Sequence, residues 1–398
     1  MCNKIICMLF LLIPFFVNAQ SPVPSGAVLE TLIPDNQQNI AWSEGPVWKN
    51  GVLLFSDVQN NKINQWNETS RTVSVYLTPT NKSNGLTVDA QGRLLLAQGQ
   101  TRTVSRQEIN GTMTLIATKF RGKTFNSPND LVVRNADGSI FFTDPDYDNS
   151  LVQKFRGIYR VSPSGAVQLI DSLFQKPNGI CFSPDEKKLY VDDSPLRQIY
   201  VWDVVNDSTF TNKQLLFTTG GPSNVDGMKT DAEGNIYCTG DKGIWIISPN
   251  GEYLDKILTP SGTTPTNCNW GDSDMKTLYI TTQHGLHRIR LASTNAVKGQ
   301  GSLIPPAFEL FTNYPNPFNP STTIKYNLPK NAKVRITIFD LLGREVEKLM
   351  DQEQDAGYRT ITWNTQMSSG MYFYRLEAIS TNNPNTRFVQ VKKLMLLK

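Results

Sequence analysis

Histidine and cysteine are both scarce in this chain. Its 398 residues include two histidines, His284 and His287, and five cysteines. No two cysteines have the C-x-x-C spacing of a zinc or redox site. The three that follow the N-terminal segment are Cys181, Cys238 and Cys268. The sequence is equally compatible with three buried thiols and with one disulfide plus one free thiol.

Long apolar segments are lacking as well. A helix that spans a bilayer needs about 20 apolar residues, and no stretch of the sequence reaches that length. The most apolar stretch, Ile5 to Val17, follows Lys4 and precedes a small-residue V-N-A site that ends at Ala19. This arrangement is typical of a secretory signal peptide. We therefore predict a signal peptide over residues 1–19 and an exported protein with no transmembrane segment.

A strong excess of one charge is also missing. The formal net charge is +4 over the whole chain, and the basic residues form no stripe along the sequence. Because a surface that binds nucleic acid needs clustered Lys and Arg, we expect no nucleic-acid partner.

Amphipathic helical periodicity is hard to find between residues 40 and 292. Short runs of β-branched and aromatic residues alternate there with Gly, Asn, Asp and Pro turns, a pattern that predicts an all-β fold. The runs form a unit that repeats six times at intervals of 40 to 49 residues, the length of a propeller blade. We predict a six-bladed β-propeller whose last blade takes its outer strand from residues before the first unit. The units begin at Glu44, Asn84, Asn129, Asn178, Asp226 and Asn267.

Equivalent positions at the start of each blade converge on one ring, because the innermost strands of a propeller line its central channel. Two carboxylates and two carboxamides would meet there: Glu44, Asp226, Asn129 and Asn178. Oxygen ligands of this kind suit Ca²⁺, whereas Zn²⁺ favours nitrogen or sulfur. The alternative is that these residues only cap turns, as Asn and Asp often do. Their shared place in the repeat favours a metal site.

Several motifs resemble the gluconolactonase and regucalcin family of six-bladed propellers. They are EGPVW, SPNDLVV, KPNGICF, VDGMKTD and TNCNW followed by KTLYITT, and the similarity covers about residues 30–292. The resemblance implies a central divalent cation held by Glu44, Asn129, Asn178 and Asp226. That cation is usually Ca²⁺, with Zn²⁺, Mn²⁺ or Mg²⁺ as alternatives. It also implies hydrolysis of a sugar lactone or related small ester.

As a hypothesis for the mechanism, Asp226 is the catalytic residue, either as general base toward water or as nucleophile. Some relatives carry an Arg that holds substrate two residues before the PND-type Asn, and Ser127 occupies that position here. Diisopropyl fluorophosphatase, paraoxonase and strictosidine synthase share the architecture with other chemistries. A non-catalytic propeller that binds Ca²⁺ and a carbohydrate therefore stays open as the alternative function.

Loops that follow the second strands should surround the mouth of the pocket, because an antiparallel meander returns each second strand to the metal face. The loop from Asp144 to Gly157 is the longest polar insertion, either a lid or an ordered strap. His284 is either a substrate ligand or a surface turn residue, and His287 is expected to be structural. Five residues of these loops are predicted to bind substrate: Asp144, Tyr147, Asp193, Asp241 and His284.

The last hundred residues differ in character from the repeats. Alternating strands and Pro-Asn turns predict a small Ig-like β-sandwich. The motifs NYPNPFNPSTTIKY, GREV and SGMYFYRL resemble the C-terminal sorting domain of type IX secretion. We expect a propeller over residues 20–301 and a sorting domain over 302–398. The resemblance implies that the type IX machinery is a partner and that the protein is secreted or held at the cell surface.

Overall fold

The computed structural model describes residues 21–397, apart from residues 36–38, 69, 149, 273, 292–307, 312, 314, 315, 355, 356 and 382–385. The predicted signal peptide lies outside the described residues. The chain divides into two compact units between residues 294 and 295. This dividing point falls in a stretch that the structure does not describe, so the boundary at residue 301 stays a prediction.

Six four-stranded antiparallel sheets form the first unit, as predicted for a six-bladed propeller. Blade 1 contains β2 (Ser43–Lys49), β3 (Val52–Asp57), β4 (Lys62–Asn67) and β5 (Thr72–Leu77). Blade 2 contains β6 (Ser83–Val88), β7 (Leu94–Gln98), β8 (Thr103–Gln107) and β9 (Met113–Ala117). A short hairpin of β10 (Lys119–Phe120) and β11 (Lys123–Thr124) follows. Blade 3 contains β12 (Leu131–Val133), β13 (Ile140–Asp144), β14 (Gly157–Val161) and β15 (Val167–Asp171).

The second half of the ring repeats this order. Blade 4 contains β16 (Pro177–Phe182), β17 (Lys188–Asp193), β18 (Gln198–Val204) and β19 (Phe210–Thr218), with a 3-10 turn at Ser194–Leu196. Blade 5 contains β20 (Met228–Thr230), β21 (Ile236–Gly240), β22 (Gly243–Ile247) and β23 (Tyr253–Leu258). Blade 6 contains β24 (Pro265–Gly271), β25 (Thr277–Thr282), β26 (Gly285–Arg290) and β1 (Leu29–Ile33).

The sixth blade closes the ring with both ends of the propeller sequence. Strand β1 pairs antiparallel with β26, with Leu29 opposite Ile289 and Thr31 opposite His287. This pairing confirms that residues before Glu44 supply the last outer strand. The buried His287 ring lies 3.1 Å from Thr31 Oγ1, which fits the structural role expected for it.

Burial varies systematically across each blade. Second strands such as β7 and β13 are buried along their whole length, because neighbouring blades cover both faces. Their continuous apolar sequences, LLLAQ and IFFTD, match that environment. The outer strand β19 is mostly exposed or half-buried. Cys181, Cys238 and Cys268 are all buried free thiols, which resolves the two alternatives left by the sequence.

The second unit is a small β-sandwich. One sheet has the order β27 (Glu309–Leu310), β28 (Ser321–Leu328) and β31 (Gly357–Asn364). The other has the order β30 (Glu345–Gln354), β29 (Ala332–Phe339), β32 (Gly370–Ser380) and β33 (Arg387–Leu396). Alternate residues of β29 are buried, and Tyr326, Trp363 and Tyr374 lie in the same core. In the part of the chain that the structure describes, no helix is long and apolar enough to cross a membrane.

Candidate functional site

Hydrogen bonds to backbone carbonyls of neighbouring blades hold the predicted ring residues at the central channel. The Gly85 N–H donates to the Asn129 carbonyl at 2.7 Å, which links blades 2 and 3. The Thr143 hydroxyl donates to the Asn178 carbonyl at 2.8 Å, which links blades 3 and 4. The Gly227 N–H donates to Thr266 O at 2.8 Å and links blades 5 and 6. The ring residues, which lie in the innermost strands or two residues before them, are therefore held in fixed register around the axis.

Three carboxamide oxygens of this ring have no protein partner. The Oδ1 atoms of Asn84, Asn129 and Asn178 are buried, and none of them accepts a hydrogen bond. Buried acceptors without a partner are rare and costly in folded proteins. Three of them at equivalent positions of adjacent blades leave oxygen atoms that a hard cation nearby would satisfy.

The two ring carboxylates lie in a strongly negative environment. Burial, followed by repulsion from Asp130, raises the pKa of Glu44 to about 8. Burial, followed by repulsion from Glu44, raises the pKa of Asp226 well above its usual range. A divalent cation among these groups would offset both effects, because opposite charge favours the ionised carboxylates.

The donor set fits an ion that accepts amide oxygens. Among the described residues, no three His, Cys, Asp or Glu side chains form a cluster able to hold a metal. A site at this ring would consequently need the carboxamides together with Glu44 and Asp226. Such a neutral and anionic oxygen set is what Ca²⁺ accepts, and the residues present fit that ion.

Most of the predicted pocket-mouth residues contact other parts of the protein. Asp144 accepts the backbone N–H groups of Asn126 and Ser127 at 2.9 and 2.7 Å. Asp193 does the same for Gln175 and Lys176 at 2.7 and 2.9 Å. Burial raises the pKa of Asp144 to about 7. These two carboxylates hold the segments that lead into Asn129 and Asn178, and substrate contact by either stays a prediction.

The remaining predicted residues divide between protein contacts and the ring itself. The Asp241 carboxylate accepts the Ser223 hydroxyl at 3.0 Å, and His284 Nδ1 lies 3.1 Å from Ile40 O. Tyr147, by contrast, reaches the ring, since its hydroxyl accepts a hydrogen bond from Asn178 Nδ2 at 2.8 Å. Its side chain is 42% exposed. Tyr147 therefore lies between the proposed metal ligands and solvent.

The loop that carries Tyr147 is anchored at several points. Gln153 Nε2 donates to the carbonyls of Lys123 and Thr124, both at 2.9 Å. The guanidinium of Arg156 forms two hydrogen bonds of 2.7 Å to the carboxylate of Asp146. These anchors favour the ordered strap over the mobile lid.

Four further buried polar residues near the ring were not predicted as site residues. Asp130 is 1% exposed, and its carboxylate lies 3.6 Å from Lys229 Nζ. Asn267 Nδ2 donates to Glu44 Oε2 at 3.1 Å. Asp192 accepts the Gly179 N–H at 3.1 Å, and its pKa is raised well above the usual range by burial and then by Asp130. The repeat pattern of the sequence does not show which side chains of different blades come into contact.

Glycine supplies the one signal that could have found some of these residues. Gly85 leaves room for the Asp130 carboxylate, and Gly179 leaves room for that of Asp192. A glycine follows the ring residue in blades 1, 2, 4 and 5, whereas blade 3 has Asp130 and blade 6 has Cys268 at that position. Of these two exceptions in the repeat, Asp130 carries the additional charge.

Residues 42–284 match the family described as the SMP-30/gluconolactonase/LRE-like region. The chain belongs to this family. Residues 312–392 match the secretion system C-terminal sorting domain, which indicates export by type IX secretion. Family membership supports a lactonase-type function.

Named relatives agree with this family. A gluconolactonase of Zymomonas mobilis is 34% identical over 284 residues, which covers 63% of this chain and 79% of that protein. The structure of a gluconolactonase from Xanthomonas campestris is 31% identical, with a TM-score of 0.60 over 68% of this chain and 91% of that one. The structure of regucalcin from Agrobacterium tumefaciens, a calcium-binding protein, has a TM-score of 0.57 over 66% of this chain and 93% of that chain. At 18% identity, this last likeness bears on the fold alone.

Proposed function

We propose that the propeller is an exported, divalent-cation-dependent hydrolase of a sugar lactone or a related small ester, with Ca²⁺ as the favoured ion. The observation that carries this proposal is the ring of unpartnered carboxamide oxygens beside two carboxylates of raised pKa. The Zymomonas relative named gluconolactonase supports the substrate class.

Glu44, Asn129, Asn178 and Asp226 would hold the ion in this proposal. When bound, it would polarise the lactone carbonyl and stabilise the negative charge that develops on its oxygen. Asp226 is half-buried at the channel. Its carboxylate either accepts a proton from the attacking water or attacks the carbonyl carbon itself, and both routes stay open.

The pocket mouth would orient the substrate. Tyr147 contributes most to this part of the proposal, because its hydroxyl contacts Asn178 while its ring is partly exposed. The hydroxyl accepts from Asn178 and is also hydrogen-bonded to the side chain of Ser194. A substrate oxygen would replace Ser194 as the acceptor of its proton. Asp144, Asp193, Asp241 and His284 stay predicted contacts at the same mouth.

Lactone hydrolysis by the full chain tests this proposal. Acid release would be followed with a pH indicator after chelation, during titration with Ca²⁺, in the wild type and in Asp226→Asn. We expect turnover that depends on the ion and falls about 10²–10⁴-fold in the variant, the usual contribution of a general base. Asp231→Asn, in the turn that precedes β21, is the matched control. Full activity of Asp226→Asn would refute the catalytic role of Asp226.

The competing function is a non-catalytic propeller that binds Ca²⁺ and a carbohydrate. Ser127 favours it, because some family members place a substrate-holding Arg at this position. Tight Ca²⁺ binding without turnover of any lactone or aryl ester would support this second function.

Export through the predicted signal peptide and the sorting domain completes the proposal. Deletion of residues 302–398 should retain the propeller inside the outer membrane, as measured by cell fractionation. Unchanged release of the truncated chain would contradict this route.

A further inference from the structure

The sixth position of the ring, Asn267, differs from its equivalents. Its Oδ1 accepts the N–H of Cys268 at 2.8 Å. Its Nδ2 donates to Glu44 Oε2 at 3.1 Å and lies 3.4 Å from Asp130 Oδ2. Unlike the Oδ1 of Asn129, the carboxamide oxygen of this residue is already used within the protein, so Asn267 is poorly suited to be a ligand.

An ion pair fixes the far side of the Asn267 carboxamide. Asp130 Oδ1 accepts the N–H of Leu131 at 2.8 Å, and its Oδ2 lies 3.6 Å from Lys229 Nζ. The ammonium group of Lys229 also donates to the Met228 carbonyl at 2.9 Å. The chain of contacts runs from blade 5 through blades 3 and 6 to Glu44 in blade 1.

The backbone makes room for this arrangement. A Cβ on Gly227 would overlap the carboxamide of Asn267. The glycine in the VDG motif of blade 5 therefore serves the side chain that blade 6 places against it. Because the neighbouring position of blade 5 is glycine, the fold leaves space for the Asn267 carboxamide at this point.

Glu44 receives its hydrogen bonds on one oxygen. Both the Gly45 N–H, at 3.0 Å, and Asn267 Nδ2, at 3.1 Å, donate to Oε2. Two donors on one oxygen restrict rotation of the carboxylate and leave the direction of Oε1 defined.

We propose that Asn267 is a positioning residue, oriented by the Asp130–Lys229 ion pair, that holds Glu44 with Oε1 directed toward the divalent cation of the ring. This inference rests on the proposed function, since it assumes that the ring binds a cation. Groups that orient a metal ligand in this way typically contribute 10- to 100-fold to metal affinity.

The test uses Ca²⁺ alone, titrated calorimetrically into the chelated full chain without substrate. Asn267→Ala should bind Ca²⁺ about 10- to 100-fold more weakly than the wild type. Asn269→Ala is the matched control. Asn269 lies two residues further along β24, its Oδ1 likewise accepts the next N–H at 2.9 Å, and its Nδ2 donates to Pro46 O of blade 1 at 2.8 Å. It makes the same kind of bridge between blades 6 and 1 without touching Glu44, so its Ca²⁺ affinity should be unchanged.

The outcomes separate this inference from the proposed function. A wild type that binds no divalent cation overturns the proposed function. Wild-type affinity in Asn267→Ala overturns only the role of Asn267. Equal losses in Asn267→Ala and Asn269→Ala would mean that a loosened junction between the blades weakens binding, and they would also overturn it.

A second variant covers a failure of Asn267→Ala to fold, which is checked by its melting temperature in chelator. Asn267→Ser keeps a hydroxyl donor of smaller size. It should fold and still lose at least several-fold in Ca²⁺ affinity, because its shorter side chain does not reach both carboxylates. Wild-type Ca²⁺ affinity in Asn267→Ser would refute the positioning role.

Discussion

Two sets of buried polar residues recur around the propeller, and they differ in what their oxygen atoms contact. At the end of a second strand, Asp193 accepts two backbone N–H groups. At the ring, Asn178 keeps a buried oxygen without a partner. Both side chains are 2% exposed, so burial does not distinguish them. The two sets differ in unused hydrogen-bonding capacity, because the buried polar atoms of a folded protein are normally all hydrogen-bonded.

The strand-end carboxylates also explain how the ring is positioned. Each binds the backbone two and three residues before a ring residue of its own blade. Asp57 binds the N–H groups of Ala41 and Trp42, before Glu44. Asp193 binds those of Gln175 and Lys176, before Asn178. One set of polar residues therefore builds the site, and the other set is left free to act in it.

Substitution of a strand-end carboxylate should give the largest loss of stability. Asp193→Ala removes the charged acceptor of the half-buried N–H groups of Gln175 and Lys176, at about 1–3 kcal/mol each. We expect the free energy of unfolding in urea to fall by about 2–5 kcal/mol. The ring variant Asn178→Ala should lose less, since its Oδ1 makes no hydrogen bond and its Nδ2 donates to the neutral Tyr147 hydroxyl. Equal losses in the two variants would abolish the distinction between the sets.

Substitution of a ring carboxylate should act in the opposite direction on stability. Glu44→Gln replaces a carboxyl that must take up a proton at neutral pH to be buried beside Asp130, so the chelated protein should melt at a higher temperature. Its Ca²⁺ affinity should fall by about 100-fold, because affinity depends on the number of ligand charges.

Calorimetry on the same preparations measures both quantities for Glu44→Gln. Glu30→Gln, which changes a carboxylate of β1 paired with Arg71 and Arg288, serves as the control for Ca²⁺ affinity. A Glu44→Gln protein that binds Ca²⁺ as the wild type does would remove Glu44 from the set of ligands.

Ion binding should be coupled to proton release. Because the pKa of Glu44 is raised to about 8, this carboxyl is mostly protonated at pH 7 in the ion-free protein. Binding must displace that proton, so Ca²⁺ affinity should fall about tenfold per pH unit below 8. The raised pKa also means that the ion-free protein loses stability as pH rises from about 4.5 to 8.

Calorimetry at pH 7 in two buffers of different ionisation enthalpy would detect the released proton. Identical apparent binding enthalpies in both buffers would show that no proton leaves. Glu44 would then be ionised before the ion arrives.

The smallest effect should come from the residue that connects the ring to the pocket mouth. Tyr147→Phe removes the hydroxyl that accepts from Asn178 at 2.8 Å. The substrate would also lose the hydrogen bond from this hydroxyl, which is worth about 0.5–1.5 kcal/mol. We therefore expect KM for a lactone to rise about 3- to 10-fold with little change in kcat. Tyr76→Phe, which removes a hydroxyl bonded to Gln107, is the control. An unchanged KM would exclude substrate contact by this hydroxyl.

Repeat spacing was sufficient to predict the propeller and the positions of its ring. The repeat starts at Glu44, Asn84, Asn129 and Asn178 recur at the length of a blade, and equivalent positions of blades must meet at the axis. The role of β1 followed from the same count, since five complete blades leave the sixth without an outer strand. Pattern and topology together therefore predicted which residues face the channel.

Hydrogen bonding across blades was beyond the sequence. Asp144 and Asp193 lie at strand ends, as predicted, but the pattern does not show that backbone N–H groups already occupy their oxygens. Asn267 and Asn129 occupy equivalent positions of the repeat, and only side-chain direction separates a positioning residue from a proposed ligand. Lys229 follows Asp226 by three residues, and its contact with Asp130 depends on how blades 3 and 5 meet.

The pairing of β1 with β26 sets a limit on truncation. Residues 29–33 lie more than 250 positions from their partners in β26. The last blade therefore lacks its outer strand unless these N-terminal residues of the propeller pair with β26. A chain trimmed to begin near Glu44 would keep every ring residue and still expose the edge of β26. Unpaired strand edges invite pairing with other molecules. Such a fragment would therefore be prone to aggregate or to exchange strands between copies, and preparations for any of these measurements should begin before Leu29.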